Sequence, residues 1–283
     1  MSSVNGIKAG FYLPNFGYCG DVGILSELAR EAEKAGWDGV FLWDHLQVVE
    51  PAVDPWIALT VMALATERIR LGTLVTPVPR RHIAKLAREI STLDQLSGGR
   101  VVFGAGAGYA GLPDYAAFGD SADPAERAAQ LDEGLELLSA LLSGAPVDHR
   151  GTFFHVSTTG FAPSLQRPRV PVWIAATRGA KKPLERAARW DGMICADTYG
   201  LEIDSDGLRT MVNAVAARRP PGAPFDVIRF GHTDDAGDVA TVEACARAGA
   251  TWWMESSFPA LTTIDDVRQR LREGPPRVSA LAM

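Results

Sequence analysis

The chain has 283 residues, 47% hydrophobic and 22% charged, enough to bury a sizeable core in one or two soluble domains. A formal net charge of −6, with no long basic run, argues against nucleic acid or an acidic membrane as a first partner. Cys19, Cys195 and Cys245 are scattered without a C-x-x-C pair and the N-terminus has no apolar signal core, so a cytoplasmic protein is expected, without disulfides, zinc site or membrane span.

Ile7 to Leu13 reads as a first strand, stopped by Pro14-Asn15. A helix follows from Asp21 to Ala35, with Ile24, Leu25, Leu28, Ala32 and Ala35 on one face and Gly36 as its stop. Val40 to Trp43 is a buried strand ending in Asp44-His45, and Pro55 opens the next helix at a position that suits proline. Ile69 to Val75 is the third strand, closed by Thr76-Pro77, and a third helix runs from His82 to Leu96. The fourth strand, from Val101, runs straight into Gly104, Gly106 and Gly108. Residues 108–124 form one loop insertion after it. Residues 145–170, between the fourth helix (Pro124 to Leu142) and the fifth strand, form another, with β-like pieces around Phe153-Phe154. Long loops in compact domains are usually functional.

The alternation then resumes. Strands are expected at Val172–Ala175, Met193–Cys195, Asp226–Phe230 and Thr251–Met254, and helices at Gly179–Arg189, Leu208–Ala217, Val239–Ala248 and Ile264–Leu271. Trp37-Asp38-Gly39 and Trp190-Asp191-Gly192 repeat one junction, and Gly249-Ala250-Thr251 stands at a third. Eight strand–helix units imply a parallel sheet, and eight is the number that closes a (β/α)8 TIM barrel, here one domain over residues 1–283. Chemistry in such barrels sits at the C-terminal ends of the strands. The candidates there are Asn15, Asp44, His45, Thr76, Gly106 to Gly108, Ala176 to Gly179, Asp197, His232 and Glu255.

Gly106 to Gly111 spells G-x-G-x-x-G, yet Leu112-Pro113-Asp114 interrupts the chain and Asp132 falls inside a helical pattern, so a Rossmann unit is rejected. The glycines either turn the chain or bare backbone N–H groups to a phosphate. Lys8, Lys34, Lys85, Lys181 and Lys182 fall mid-strand or on helices, which argues against a Schiff-base aldolase. The five histidines form no H-x-H pair, and no metal is expected. Asp44 and Glu255 would suit a glycosidase if their separation allowed it. The glycine cradle and the aromatics Phe11, Phe16, Trp43, Trp56, Trp173 and Trp253 suit a flat, phosphorylated cofactor.

The runs Leu13-Pro14-Asn15-Phe16-Gly17, Val40 to His45, Thr66 to Thr73, Thr92 to Arg100, Pro171 to Ile174 and Ala187 to Gly192 together resemble the bacterial luciferase-like oxidoreductases, over nearly the whole chain. The resemblance implies a TIM barrel that uses reduced FMN with oxygen or the deazaflavin F420, commonly as a homodimer, on a small-molecule substrate. It implies that Gly106-Ala107-Gly108 and Ala176-Thr177-Arg178-Gly179 hold the cofactor phosphate, with Arg178 either contacting it or lying solvated. Arg80 and Arg81 are solvated or meet an anionic tail. By the same resemblance Asp44 and His45 would flank the cofactor, with His45 near the reacting carbon; the alternative is a capping aspartate and a structural histidine. Asn15 bonds the ring or makes the turn after Pro14, and His232 orients a loop. A non-proline cis peptide is expected among Thr73, Leu74 and Val75, where the third strand bulges against the cofactor ring. The sugar-phosphate dehydrogenases of the F420 branch carry a glutamate after the glycine run; Tyr109 stands there, so a glucose-6-phosphate-like substrate is not expected. The Asp44-His45 pair slightly favours F420-linked hydride transfer. The alternatives are an FMNH2/O2-dependent two-component monooxygenase, served by a separate flavin reductase, and a non-catalytic flavin-binding protein.

Overall fold

A computed structural model describes residues 6–48, 50–109, 114–197 and 200–276. Its elements are β1 (Lys8–Leu13), α1 (Val22–Ala35), β2 (Gly39–Leu42), α2 (Pro55–Ala65), β3 (Arg70–Pro77), α3 (Ile83–Leu96), β4 (Val101–Gly106) and α4 (Pro124–Leu142). They continue with β5 (Val147–Arg150), β6 (His155–Thr158), β7 (Val172–Thr177), α5 (Lys181–Ala187), β8 (Gly192–Ala196), α6 (Ser205–Ala216), β9 (Asp226–Gly231), α7 (Val239–Arg247), β10 (Trp252–Ser256) and α8 (Ile264–Glu273). β1, β2, β3, β4, β7, β8, β9 and β10 pair in parallel around a closed ring, in which β10 returns to β1 with Phe11 opposite Glu255. The expected eight-stranded barrel is therefore the fold. Among the described residues no helix is long and apolar enough to cross a membrane.

Local chemistry explains where the elements start. Asp21, Asp54, Asp123 and Asp204 each accept a backbone N–H in the first turn of the helix they precede, and Thr263 and Asp266 form a capping box on α8. Asp204 starts α6 at Ser205, earlier than the first apolar residue of its pattern. α5 begins only at Lys181, because Gly179 takes φ +79° and Ala180 is extended; Arg178 and Gly179 belong to a turn, not to a helix N-terminus. β5 and β6 form an antiparallel hairpin outside the ring. Phe153 and Phe154 lie between these strands, because the Glu133 carboxylate of α4 accepts the N–H groups of Thr152, Phe153 and Phe154.

Side chains alternate between two cores. Phe41, Val102, Trp173, Ile194, Ile228, Phe230, Trp252 and Met254 fill the barrel, and a larger apolar layer lies between strands and helices. The repeated junctions pin the lower end. Asp38 accepts the N–H of Ala9 and Asp191 that of Val172, each from a neighbouring strand, while the Thr251 hydroxyl accepts the N–H of Val227. Asp226 accepts both indole N–H groups of Trp173 and Trp252 at 3.2 Å. The glycines of these junctions make room for the rings: a Cβ at Gly39 would lie 2.6 Å from Phe41, and one at Gly192 2.4 Å from Trp173. Lys8 starts β1 at this lower end, with its ammonium 5.2 Å from the Trp252 ring, far from any strand C-terminus.

Gly192→Ala is expected to lower unfolding free energy by ~1–3 kcal/mol, the usual cost of overpacking a filled interior. Urea unfolding followed by tryptophan emission measures it, and an unchanged midpoint would show that Trp173 yields without cost.

Candidate active site

The polar groups of the upper rim concentrate where β2, β3 and β4 end. Beyond β2 the chain continues as Trp43-Asp44-His45. The Trp43 ring stacks on Tyr12 at 5.4 Å and meets Phe16, Phe258 and His45 edge-on at 5.3, 5.6 and 5.7 Å. The Tyr12 hydroxyl donates to the Leu74 carbonyl at 2.6 Å, tying β1 to the bulge in β3. There the register with β4 shifts between Thr73 and Thr76, and the Leu74–Val75 peptide is cis, within the stretch where the sequence places one.

A buried polar chain leaves this bulge. The Thr76 hydroxyl donates to Asp44 Oδ2 at 2.7 Å and lies 2.8 Å from the Thr73 hydroxyl, which is left to donate to it. Asp44 Oδ1 accepts from Arg80 Nη2 at 3.0 Å and Arg81 Nη2 at 2.5 Å. Arg80 also places Nη1 2.9 Å from Asp114 Oδ2. Asp114 Oδ2 is 2.5 Å from His45 Nδ1, and its Oδ1 accepts the N–H groups of Leu46 and Gln47 at 3.0 Å. Burial alone would raise the Asp114 carboxyl, but the Gln47 N–H, His45 and Arg80 together bring it below the usual carboxylate range. Arg80 and Arg81 are thus held by carboxylates, not solvated.

Asn15 is buried; Nδ2 donates to the Val53 carbonyl at 2.5 Å and Oδ1 has no partner among the described residues. The Trp43 Nε1 is likewise buried without a partner among the described residues. The glycines after β4 are less bare than the sequence suggests. A Cβ at Gly106 would lie 2.7 Å from Val75, and Gly108, at φ +84°, lies against Tyr115, whose hydroxyl bonds the Ala107 carbonyl at 2.7 Å. Close packing therefore explains these two, and Gly111 lies outside the described residues. Gly179, at φ +79°, has open space where a Cβ would stand, beside Ala176 and Thr177 at the end of β7. Arg178 places Nη1 3.4 Å from Asp197 and 3.1 Å from Asp204, so its guanidinium already has carboxylate partners.

A second cluster crowns β9 and β10. Glu255 is wholly buried and accepts from the Thr233 N–H and hydroxyl at 2.7 Å and from Trp253 Nε1 at 2.8 Å, with Arg270 at 3.4 Å. His232 Nδ1 stands 3.3 Å from it. The Glu255 carboxylate raises the His232 pKa; burial would raise Glu255 itself, but His232, Arg270, Trp253 and Thr233 lower it. Asp44 and Glu255 are both fully engaged, so neither is a free acid for glycoside hydrolysis. Burial also pushes up the Cys19, Cys195 and Cys245 thiols, the first to about 12, so none is a thiolate nucleophile.

The sequence model of the luciferase-like monooxygenase family matches residues 17–274. The chain belongs to that family. An F420-dependent glucose-6-phosphate dehydrogenase of Beutenbergia cavernae is 34% identical over 201 residues, covering 66% of this chain and 56% of its own. One from Rhodococcus jostii is 35% identical over 206 residues, covering 69% and 59%. This luciferase-like chain thus spans less than two thirds of the length of these relatives. Among solved structures, an F420-dependent secondary alcohol dehydrogenase overlays with TM-score 0.79 at 17% identity, covering 96% of this chain and 98% of that one. The F420-dependent tetrahydromethanopterin reductase of Methanopyrus kandleri gives 0.74 at 17%, covering 95% and 98%, and a monooxygenase from Streptomyces bottropensis 0.72 at 21%, covering 94% and 97%. At those identities the likeness concerns the luciferase-like fold.

Sequence reasoning missed Asp114, which it treated only as part of an interruption. The one available signal was a carboxylate in a loop leaving a barrel strand. Tyr109 is 67% exposed.

His232 with its raised pKa adds stability below the histidine pKa of the unfolded chain, and loses it as pH rises through the folded value. The stability gap between wild type and His232→Gln is therefore expected to be widest below the ordinary histidine pKa and to shrink as pH rises above it. Urea midpoints on both sides of that pKa check it, and a constant gap would remove the ionic contact with Glu255.

Proposed function

We propose that the chain is an oxidoreductase that moves a hydride between the deazaflavin F420 and a small organic substrate, with His45 exchanging the accompanying proton. The observation that carries this reading is the His45 ring at the rim, with Nδ1 held by Asp114 and Nε2 without a partner among the described residues. Imidazole suits proton exchange near neutral pH. Trp43 and Phe16 offer aromatic surface beside it, and the unpaired Trp43 Nε1 and Asn15 Oδ1 are one donor and one acceptor suited to a ring edge carrying N–H and C=O groups. Thr73 and Leu74 lie at the bulge beside them. When bound, F420 would supply hydride exchange at a ring carbon. Ala176, Thr177 and Gly179 form the segment we assign to its phosphate, Gly179 on the ground of its open surroundings; the Ala107-Gly108 turn is taken up by Tyr115. Arg178 would have to exchange its half-exposed carboxylate partners for that phosphate. The F420-dependent relatives support this choice.

An FMNH2/O2-dependent monooxygenase with a separate flavin reductase is the second reading. The aromatic group of Tyr12, Phe16, Trp43 and Phe258 favours it. A sugar phosphate is not proposed as substrate, since position 109 carries an exposed tyrosine. We further propose a cytoplasmic homodimer. Its support is α2, which buries Trp56, Leu59 and Met62 yet also exposes Ile57 (62%) and Leu64 (69%), near exposed Leu96 of α3.

Titration with each cofactor should give far tighter binding of F420 than of FMN, and the reverse order would favour the monooxygenase. His45→Ala is expected to lower turnover by ~10²–10⁴ with binding retained; unchanged turnover would take His45 out of the mechanism. Ile57→Glu with Leu64→Glu is expected to convert a dimer into a monomer in analytical ultracentrifugation.

A further inference from the structure

We propose that Asp114 is a positioning residue that fixes the tautomer of His45, holding a proton on Nδ1 and leaving the Nε2 lone pair as the proton-exchanging atom. This rests on the reading that His45 exchanges a proton in the reaction. Among the described residues the polar groups on the Asp114 carboxylate are all donors or cations: two backbone N–H groups on Oδ1, and on Oδ2 the His45 Nδ1 at 2.5 Å and the Arg80 guanidinium in ion-pair contact at 2.9 Å. A carboxylate so surrounded is ionised and only accepts, so Nδ1 carries the hydrogen. Its lowered pKa agrees. One carboxylate also fixes the backbone that carries the ring, because Leu46 and Gln47 directly follow His45. With Trp43 edge-on at 5.7 Å, the imidazole is held in both position and rotation.

The two oxygens are not equivalent, and that asymmetry makes the inference testable. In Asp114→Asn the Leu46 and Gln47 N–H groups require the amide oxygen at the Oδ1 position. The NH2 group then replaces Oδ2 and donates to His45 Nδ1, which must become the acceptor. The proton moves to Nε2 with little change in side-chain shape, while Arg80 Nη1 loses its ion-pair partner at the Oδ2 position and Arg80 stays held by Asp44 through Nη2.

Long-range 1H–15N correlation spectra of the cofactor-free protein read the ring nitrogens of the five histidines, with His45→Gln assigning the signal. The expected result is Nδ1–H in the wild type and Nε2–H in Asp114→Asn. The variant's kcat is expected to fall by ~10²–10⁴, as for a wrong-tautomer catalytic histidine, while its dissociation constant for F420 stays within about twofold. A wild-type spectrum with Nε2–H overturns the proposal and needs no variant that folds. So does a variant that keeps Nδ1–H, or one that swaps tautomer at unchanged kcat. Wild-type protein that neither binds F420 nor turns over would end the proposed function and leave the nitrogen spectra to decide the tautomer.

Discussion

The Arg80 guanidinium is shared between two buried carboxylates that arrive from different parts of the chain. Asp44 comes from the end of β2 and Asp114 from the loop after β4, while Arg80 itself follows β3. All three are almost wholly buried, with side-chain exposures of 1–2%. Two carboxylates brought together without cations would repel, and each would lose several kcal/mol of hydration. A planar fork with donors on both nitrogens answers both at once, as a lysine point charge cannot. Arg81 adds the second positive charge and Thr76 a hydroxyl, which carries the network into the β3 bulge. Three strand ends are thereby locked together, and His45 stands on the lock.

The barrel itself was legible because it depends on pattern. Apolar strands alternating with amphipathic helices repeat eight times, and the structure closes them in that order. Strand ends named for their position alone, among them Asn15, Asp44, His45, Thr76 and Glu255, do fall on the upper rim. Glycine next to Asp191 was legible as a junction, yet its reason, the Trp173 ring, lies on another strand. Asp114 was hidden for a sharper reason. Its partner is 69 residues away, and a carboxylate in a loop has no periodicity to betray it. Arg80 and Arg81 look like solvated surface until Asp44 is beside them. Gly106 and Gly108 show where side chains are missing, but sequence cannot say whether a ligand, Val75 or Tyr115 fills the space.

What this rim can do follows from the atoms its own hydrogen bonds leave over. The Asp44, Asp114 and Glu255 carboxylates are fully engaged, so a reaction that needs a free acid and a free base carboxylate has no pair to use here. Among the described residues, the atoms left over include an amide oxygen, an indole N–H and one imidazole nitrogen near Phe16 and Trp43, and the Nε groups of Arg80 and Arg81 behind Asp44. That set can orient a planar polar ring and accept one proton; it offers no nucleophile. An ionised Asp114 behind the ring also places negative charge opposite the cation that forms when Nε2 takes up a proton. Under the proposed hydride transfer, this arrangement would assist proton removal from a substrate hydroxyl as its carbon gives up hydride.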